Sequence, residues 1–572
     1  MVAIGRQGDG SMKLGRRPTL FILVATILLN LLLRYPSSDH ETGVDSIFIH
    51  ALSGSIYDHG HAAWILNPLS YLGWYPLSYP SAGPFLFAAT SSVTGMNLEG
   101  SILLISFMLG PLGILSAFMM AREVRHGETL AVVVALLYGL APRFLVFTIW
   151  SASTRALFMS LLPIFTWSIL VSYRRPSKLS YGMLVVSTLL LTATHRLAIL
   201  LAVVFVAFIV AIVLVQGARL LRTLFPQSLL RESVRRGFPY VALGAVVAMI
   251  AGMMIATDVL QEYSQGEIAS GSAPSIEILN LMVSLARSSG FALALMPVGL
   301  VVLTRQKNKR ITEPFLVAVS IGLVPTLLLR VYTGFYILPF LAILGGLGFI
   351  GIMKLLRRHK RLGKLGGVVL VAVIVAFSGL VLNIELSQST QISTQTYDTG
   401  LYVRGNGLGG TLVATDGLMG IQVGAISGNG LLPVGGAGTT FQSPELLAYG
   451  FYKASDVDSA ISRIPLLGLT IDSDSLWSVS NIQAEQDWVT ILNSRFGQIP
   501  MDLRTRYQPT YYLEGKAQAG TYLAFGNTYC SALGQSVHEQ GYTVYDNGQE
   551  TLWWLGVPAS PLGMGIVPKP CG

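Results

Sequence analysis

Long apolar runs separated by short charged turns dominate the first two-thirds of the chain. Crossing the hydrocarbon core of a bilayer takes roughly 20 apolar residues in a helix, because unpaired backbone groups are too costly in lipid. The pattern predicts about eleven such helices and a partial or re-entrant segment at 82–95. The predicted spans are 18–34, 100–120, 129–142, 154–173, 179–195, 197–215, 238–256, 289–304, 312–329, 335–353 and 366–384.

The pattern changes after residue 385. A run rich in Ser, Thr and Gln at 387–396 is typical of a linker, and shorter apolar stretches follow it. Those at 410–416 and 551–556 have strand character, whereas 443–452 and 481–494 have helical spacing. We therefore expect a polytopic α-helical membrane domain and, after it, an α/β domain outside the membrane. The predicted domains are 1–385 and 386–572.

Composition supports this division and excludes other classes of protein. Of the 572 residues, 52% are hydrophobic and only 12% are charged, whereas soluble proteins have about 25% charged residues. Residues 1–382 hold 30 Lys and Arg against 14 Asp and Glu, but residues 383–572 hold 8 against 15. The positive charge thus belongs to the membrane part. A chain of ordinary soluble domains, a disordered protein and a nucleic-acid-binding protein are excluded.

The basic residues also predict an orientation in a cell membrane. With a cytoplasmic N-terminus, the inner segments hold 24 Lys and Arg and the outer ones hold six, which is the positive-inside bias. The first outer loop (34–84), the long outer loop (257–288) and everything after residue 385 then face outward. The first span reads as an uncleaved signal anchor, since no small-residue cleavage site follows it.

Both cysteines of the chain fall in the outward part. Cys530 and Cys571 are the two, and a disulfide is permitted on that side of a membrane. Sequence spacing does not give the distance between the two sulfurs. A bridge and a pair of buried thiols therefore both remain open.

The first outer loop concentrates ionisable side chains. Residues 48–57 within it predict an amphipathic helix lying on the membrane, with Glu41 and Asp45 on a shared face. Clustered carboxylates suit a general base or a hard divalent ion, and a mixed set with histidine suits a softer metal. An ordinary hydrated loop is the alternative. The side chains in question are Asp39, His40, Glu41, Asp45, His50, Asp58, His59 and His61.

Arginines at the outer ends of spans predict an anion site. Arg155 begins one span, Arg196 follows His195 at a turn, and Arg330 precedes Tyr332 at the end of another span. The guanidinium group presents a fork of donors that suits phosphate. Together these residues predict a cradle for an anionic lipid head group. Contact with bulk lipid phosphates, or topology alone, is the alternative for each of them.

The long outer loop and the outward domain carry weaker signals. The loop is acidic, with Glu262, Glu267 and Glu277, and is rich in Gly, Ser and Pro at 269–275. That composition is typical of a mobile substrate-gating loop and also of a passive linker. After residue 385 the sequence has no Gly-rich phosphate loop, metal-spaced Cys/His set or nucleophile elbow. We expect that domain to be a lid or recognition module.

Several stretches look like parts of one known family. Residues 43–60 form an acidic loop after the first span, with the acid at Asp45, and Tyr-Pro pairs follow at 75–76 and 79–80. Residues 330–346 give an Arg-x-Tyr…Pro run at a late span. With the acidic outward domain, this layout resembles the GT-C fold integral-membrane glycosyltransferases, which use polyprenyl-phosphate-linked sugars. The outward domain is similar to that of archaeal-type oligosaccharyltransferase catalytic subunits.

The chain also departs from the oligosaccharyltransferase pattern. Those enzymes carry Trp-Trp-Asp-Tyr-Gly at the start of the soluble domain, whereas Trp553-Trp554 lies near the C-terminus and is followed by Leu. Their second acidic motif has no counterpart, because residues 140–155 contain no Asp or Glu. Residues 275–277 match their Ser/Thr-x-x-Glu element only loosely. Transfer of a single sugar therefore fits better than transfer of an oligosaccharide to Asn.

The resemblance implies a reaction and a set of residues. A sugar would move from a polyprenyl-phosphate-linked donor to a glycan or protein acceptor at the outer membrane face. Asp45, helped by Asp39 or Glu41, would deprotonate or orient the acceptor, and arginines would neutralise the departing phosphate. The implied substrate-binding residues are Arg330, Tyr332, His195, Arg196, Arg155 and Glu277. A divalent cation, Mg or Mn, is optional, and its ligands would be Asp45, Asp58, His59 and His61.

Two other classes of function remain open. A transporter or flippase for a lipid-linked glycan would use the same arginines, but the span interiors are almost uncharged and show no inverted repeat. In an envelope-anchoring protein the outward domain would act and the loop acids would be incidental. Alanine substitutions separate these classes: loss of function at the loop acids favours an enzyme, and loss confined to the outward domain favours an anchor.

Overall fold

Apolar helices make up most of the structure, a computed structural model that describes residues 15–62, 65–66, 74–75, 80–125, 127–224, 274–304, 310–329, 334–356, 360–387, 389, 391–406, 411–414, 417–428, 430–433, 509–515, 542–548 and 550–554. The predicted span 238–256, the helices predicted at 443–452 and 481–494, and both cysteines lie outside these residues. The membrane-part helices are α1 (Arg16–Leu33), α2 (Val44–His59), α3 (Ala82–Thr94), α4 (Leu98–Val124), α5 (Glu128–Gly139), α6 (Pro142–Thr148), α7 (Thr154–Arg174), α8 (Lys178–Thr194), α9 (Leu201–Leu224), α10 (Pro274–Ser289), α11 (Phe291–Thr304), α12 (Thr312–Leu329), α13 (Leu338–Leu356) and α14 (Lys360–Ser387). Two further helices follow, α15 (Thr394–Gly405) and α16 (Gly417–Ser427).

The described helices make this a multi-pass membrane protein. Six of them are long and apolar enough to cross a membrane, or up to eight spans result if each of two bent helix pairs counts as one. The pairs are α5 with α6, bent by 60°, and the end of α10 with α11, bent by 97°. The predicted count of about eleven is not confirmed. Helix α8 and the apolar part of α12 are shorter than a bilayer core requires, and one predicted span is not among the described residues.

Glycines let α13 pass close to α11 in the centre of the bundle. Helix α13 is buried from Leu338 to Phe349. A Cβ at Gly299 would stand 1.8 Å from the carbonyl oxygen of Leu344, and one at Gly348 would stand 2.0 Å from that of Leu295. Lipid tails are as apolar as the side chains, so helices in a membrane associate through close packing of this kind. Any larger residue at either glycine would force the two helices apart.

Buried polar side chains satisfy the backbone where helices are interrupted. Asn30 of α1 donates to the carbonyl of Gly139, at 2.6 Å, where α5 ends. Arg34, only 2% exposed, follows α1. Its guanidinium donates to three carbonyl oxygens, those of Ser106 at 2.8 Å, Phe107 at 3.3 Å and Thr148. Thr148 ends α6, and the Phe107 carbonyl lies one helical turn before Pro111, which has no N–H to offer it. Arg34 therefore serves the fold at this break.

The first outer loop folds into α2 and a two-stranded ribbon, β1 (Ile65–Leu66) with β2 (Trp74–Tyr75). The predicted helix is present, and its position on a membrane surface stays a prediction. Helix α2 packs between α3 and α4 on one side and α16 on the other. The helix starts after Gly43, so the predicted shared helical face of Glu41 and Asp45 is wrong. The apolar seam with the outward part comprises Ile47, Ala51, Ile392, Ala425 and Ile426.

Part of the long outer loop is helical. Residues 274–288 of the predicted loop belong to α10, which turns into α11 at Gly290 with a φ of +57°. Helix therefore begins at Pro274, ahead of the span predicted to start at residue 289. Residues 257–273, where the gating-loop and linker alternatives apply, lie outside the described residues.

A five-stranded mixed sheet follows the last span. Its strands are β3 (Thr411–Ala414), β4 (Gly430–Pro433), β5 (Pro509–Gly515), β6 (Tyr542–Asp546) and β7 (Glu550–Trp554), in the order β4-β3-β5-β7-β6. Strand β3 runs parallel to β4 and β5, and β7 is antiparallel to β5 and β6. The strands predicted at 410–416 and 551–556 are present. Trp553 and Trp554 lie inside β7, where they pair with both neighbouring strands.

Helix α15 joins this sheet to the first outer loop. The Tyr402 ring stacks on Tyr545 of β6 with centroids 4.3 Å apart. On the other side of the helix, Arg404 Nη2 contacts Asp58 Oδ1 of α2 at 2.9 Å. The segment after the last span is therefore in contact with both the sheet and the loop that carries the predicted acids.

Candidate active site

Asp45 and Arg155 meet at one end of the helical bundle. Asp45 lies in the first turn of α2, which Gly43 begins with a φ of +92°. Arg155 lies in the first turn of α7, and its Nη1 contacts Asp45 Oδ2 at 2.6 Å. The Asp45 side chain is 56% exposed and that of Arg155 is 23% exposed. The structure thus brings together a predicted base and a predicted phosphate-binding residue at an accessible position.

A second arginine extends the positive charge beside this pair. The guanidinium groups of Arg155 and Arg143 lie over the Phe147 ring, 5.2 and 5.7 Å from its centroid. Arg143 also lies in the electrostatic field of Arg287 and Glu385, which are hydrogen-bonded to each other. The Nε of Arg143 is buried without a hydrogen-bond partner among the described residues. Such a patch favours an anion.

Glu41 is buried beneath the loop instead of lying beside Asp45. Its Oε2 accepts a hydrogen bond from Ser46 Oγ at 2.7 Å, and its Oε1 lies 2.5 Å from His50 Nδ1. Ser46 Oγ also accepts from the backbone N–H of Ala152 at 2.5 Å. A buried carboxylate with its hydrogen bonds made holds its neighbours in place. Glu41 therefore supports the turn that presents Asp45.

The His50–Glu41 pair makes stability depend on pH. Burial lowers the pKa of His50, but the charge and hydrogen bond of Glu41 raise it more, aided by Glu99 and opposed by Arg404, so the net shift is upward. A histidine whose folded-state pKa is raised contributes stability that is fully present below its unfolded value of about 6.5. That contribution is lost as pH rises through the folded-state pKa.

We therefore expect the unfolding temperature in detergent to fall as pH is raised from about 6.5 through the folded-state pKa of His50. His50→Gln should flatten this dependence, because the amide can still donate to Glu41 but does not titrate. His61→Gln, at an exposed histidine just beyond α2, should keep the wild-type slope. An unchanged slope in the His50 variant would contradict the assignment.

Glu99 is a buried acid that the sequence analysis missed. It lies in the first turn of α4, and its Oε1 accepts from the backbone N–H of Glu41 at 3.0 Å and contacts His40 Nδ1 at 3.1 Å. Its backbone carbonyl accepts from Trp150 Nε1 at 3.2 Å. The only signal was a single acid two residues after Asn97, the helix N-cap. An acid there is ordinary, because it complements the helix dipole.

The four residues predicted as metal ligands do not come together. Asp45 lies in the first turn of α2 but Asp58 and His59 lie in the last, about 20 Å away along the helix axis. Asp58 pairs with Arg404, and His61 lies beyond the helix end. Among the described residues no three His, Cys, Asp or Glu side chains are placed to hold a metal ion. These donors do not fit the optional divalent cation.

The other predicted site residues lie apart from the Asp45–Arg155 pair or outside the described residues. Asp39 is exposed ahead of α2. The buried ring of His195 packs edge-on against Phe158 and Phe335, with centroids 5.8 and 5.7 Å away. The side chains outside the described residues are those of Arg196, Glu277, Arg330 and Tyr332. The substrate-binding roles of these four residues therefore stay predictions.

Comparison with known proteins gives matches among solved structures only. No family model matches the chain, and no curated protein is similar to it. The apo Archaeoglobus fulgidus oligosaccharyltransferase matches with a TM-score of 0.54 and 14% identity, covering 96% of this chain and 75% of that one. AglB from the same organism, in complex with an inhibitory peptide and a dolichol-phosphate, matches with a TM-score of 0.53 and 14% identity, covering 95% of this chain and 75% of that one. Apo ArnT from Cupriavidus metallidurans matches with a TM-score of 0.50 and 13% identity, covering 94% of this chain and 98% of that one.

These neighbours are GT-C glycosyltransferases, so the expected resemblance to that fold is confirmed. At identities of 13–14% the likeness concerns the fold alone. In two further A. fulgidus oligosaccharyltransferase structures the match spans 61% and 63% of that chain, less than two-thirds of its length.

Proposed function

We propose that this chain is a membrane glycosyltransferase that moves a sugar from a polyprenyl-phosphate-linked donor to an acceptor at the extracytoplasmic face. The observation that carries the proposal is the contact between Asp45 and Arg155. Such a transfer needs a group that takes a proton from the acceptor and a cation that binds the donor phosphate. The GT-C fold supports the same class, and one neighbour is bound to a dolichol-phosphate.

In the proposed reaction the acceptor hydroxyl or amide attacks the anomeric carbon of the donor sugar. The bond from that carbon to the phosphate oxygen breaks, Asp45 receives the proton of the acceptor, and the polyprenyl phosphate leaves with the electron pair. Arg155 and Arg143 stabilise the charge that develops on the phosphate. No step is assigned to a metal, because the predicted ligands are separated.

Arg155 links donor binding to the state of the base. Its guanidinium is bound to the Asp45 carboxylate. A donor phosphate competes for the same forked donors, since guanidinium binds phosphate and carboxylate alike. Transfer of Arg155 to the phosphate frees Asp45 to accept a proton. The Asp45 carboxylate is thus released from its ion pair when the donor phosphate binds Arg155.

The acceptor is proposed to take a single sugar. Residues 140–155 hold no acid to match the second acidic motif of oligosaccharyltransferases, and Trp553 and Trp554 are strand residues. The chain therefore lacks two features that are typical of enzymes that transfer a whole oligosaccharide to Asn. A hydroxyl-bearing glycan or lipid fits better as acceptor than an Asn-containing peptide.

The test uses the full chain, purified and reconstituted in vesicles. Radiolabelled polyprenyl-phosphate sugars are offered in turn, with hydroxyl-bearing acceptors or an Asn-x-Thr peptide, with and without a chelator. We expect label to pass from at least one donor to a hydroxyl acceptor, above protein-free vesicles. Label on the peptide would indicate an oligosaccharyltransferase instead. Movement of intact donor between leaflets, without cleavage, would support a flippase and contradict the proposal.

A further inference from the structure

The buried carboxylate of Glu99 joins separate parts of the chain. It accepts from the backbone of Glu41 and contacts the His40 ring, both in the loop before α2. Tyr397 of α15 hydrogen-bonds the same carboxylate and stacks on His40 with ring centroids 4.0 Å apart. A buried charge is tolerated only when its partners are well placed. Glu99 therefore holds the loop from below while α15 covers it.

Glu99 contacts both segments that precede the proposed reacting pair, one through its carboxylate and the other through its backbone carbonyl. The loop before α2 leads directly into Asp45. Trp150, whose Nε1 donates to the Glu99 carbonyl, lies on the segment that leads into Arg155. Thr42 N–H donates to the Trp150 carbonyl at 2.9 Å and joins the two segments. A shift at Glu99 would move both approaches to the site together.

We infer that Glu99 is a positioning residue for sugar transfer, holding Asp45 and Arg155 in register through the segments that precede them. The inference rests on the proposed function, because Asp45 and Arg155 are its reacting groups. Misplacement of reacting groups by about 1 Å can cost about 10²-fold in rate. Loss of the Glu99 contacts should therefore lower turnover while leaving donor binding nearly unchanged.

Tyr397, in the segment after the last span, contacts both Glu99 and His40. Burial raises the pKa of its phenol, as do the charge and hydrogen bond of Glu99 and the charge of Glu41, against an opposing effect of Arg404. The phenol therefore stays protonated, and able to donate, across the physiological range. Tyr397→Phe keeps the ring that stacks on His40 but removes the donor, so it should give a weaker form of the Glu99 defect.

The test compares Glu99→Ala and Glu99→Gln with Glu128→Ala in the full chain. Gln keeps the shape and one acceptor oxygen, and it covers the case in which the Ala variant fails to fold. Glu128 is the matched control, because it begins α5 and forms a partly exposed pair with Arg122, which lies in the last turn of α4, far from Glu99 in the first turn. Turnover, KM for the lipid-linked donor and amide hydrogen exchange across residues 38–46 and 148–155 are measured in each.

We expect Glu99→Ala to lower kcat by about tenfold or more with KM within about threefold of wild type, and to speed exchange in both segments. In Glu99→Gln, kcat and the exchange rates should lie between those of Glu99→Ala and wild type, and in Glu128→Ala they should match wild type. Unchanged exchange and kcat would overturn the inference. So would a lower yield of folded protein with wild-type kcat per folded molecule. If wild type moves no sugar, the proposed function fails, but hydrogen exchange still decides whether Glu99 fixes the loop.

Discussion

Asp45→Asn should abolish sugar transfer while leaving the fold intact. Asparagine has nearly the same shape but cannot take the proton of the acceptor, and losing a general base typically costs about 10²–10⁴-fold in rate. We expect a fall of about 10³-fold in kcat, with KM for the donor no higher than in wild type, because Arg155 is no longer held by a carboxylate. The fold is spared because both side chains of the Asp45–Arg155 pair reach solvent, so the unpaired guanidinium is hydrated.

Asp398→Asn provides the matched control for this result. Asp398 is an exposed acid on α15, and the same change of charge there should leave transfer unaltered. Transfer is measured in reconstituted vesicles, and folding is checked by size-exclusion chromatography and by the unfolding temperature. Full activity in the Asp45 variant would remove the role assigned to its carboxylate.

Arg34→Met should cause the largest loss of stability. Three carbonyls would lose the Arg34 donor at once, among them those of Phe107, which faces Pro111, and of Thr148 at the end of α6. Leaving a buried group unpaired costs about 1–3 kcal/mol. The free energy lost per hydrogen bond is lower inside membranes, because the freed groups find other partners there. We therefore expect the free energy of unfolding to fall by about 3 kcal/mol, measured by denaturant titration in mixed micelles. Arg122→Met, at a 61% exposed side chain paired with Glu128, should cost less than about 1 kcal/mol.

Gly110 gives an internal check on the position of Arg34. A Cβ at Gly110 would stand 2.0 Å from Arg34 Nη2, so Gly110→Ala should destabilise the wild type. Methionine is flexible and can move aside, and residues in direct contact give non-additive effects. The alanine should therefore cost less in the Arg34→Met background. Equal costs in both backgrounds would mean that the guanidinium does not lie against this helix.

The membrane character could be predicted from sequence, but the helix breaks could not. Apolar runs such as 100–120 and 366–384 can cross lipid only as helices. In the structure they lie within α4 and α14. The run 129–142 was expected to be one span, yet α5 ends at Gly139 and Pro142 begins α6 at an angle of 60°. Asn30 on α1 donates to the carbonyl of Gly139 at this bend, and Arg34 just beyond α1 donates to the carbonyl of Thr148 where α6 ends. That compensation depends on tertiary packing.

The candidate site divides in the same way. Asp45 is predicted from the sequence as an acid in a loop that follows a span, and the structure places it beside Arg155. Its partner Arg155 and the buried acid Glu99 could not be predicted from sequence spacing. Arg155 was one of several arginines at span ends, and Glu99 looked like an ordinary acid in a first helical turn. Only the folded chain shows that Glu41, expected to share a helical face with Asp45, is buried against His50.

The apolar seam between α2 and α16 has a consequence for how this protein can be divided. Ile47 and Ala51 are covered by Ala425 and Ile426 from the far side of the last span. A chain cut at residue 385 would leave these side chains bare to water and prone to self-association. Chimeras with relatives should therefore exchange residues 34–62 together with everything beyond the last span. For the same reason, these two segments would have to be exchanged together in any natural recombination between relatives.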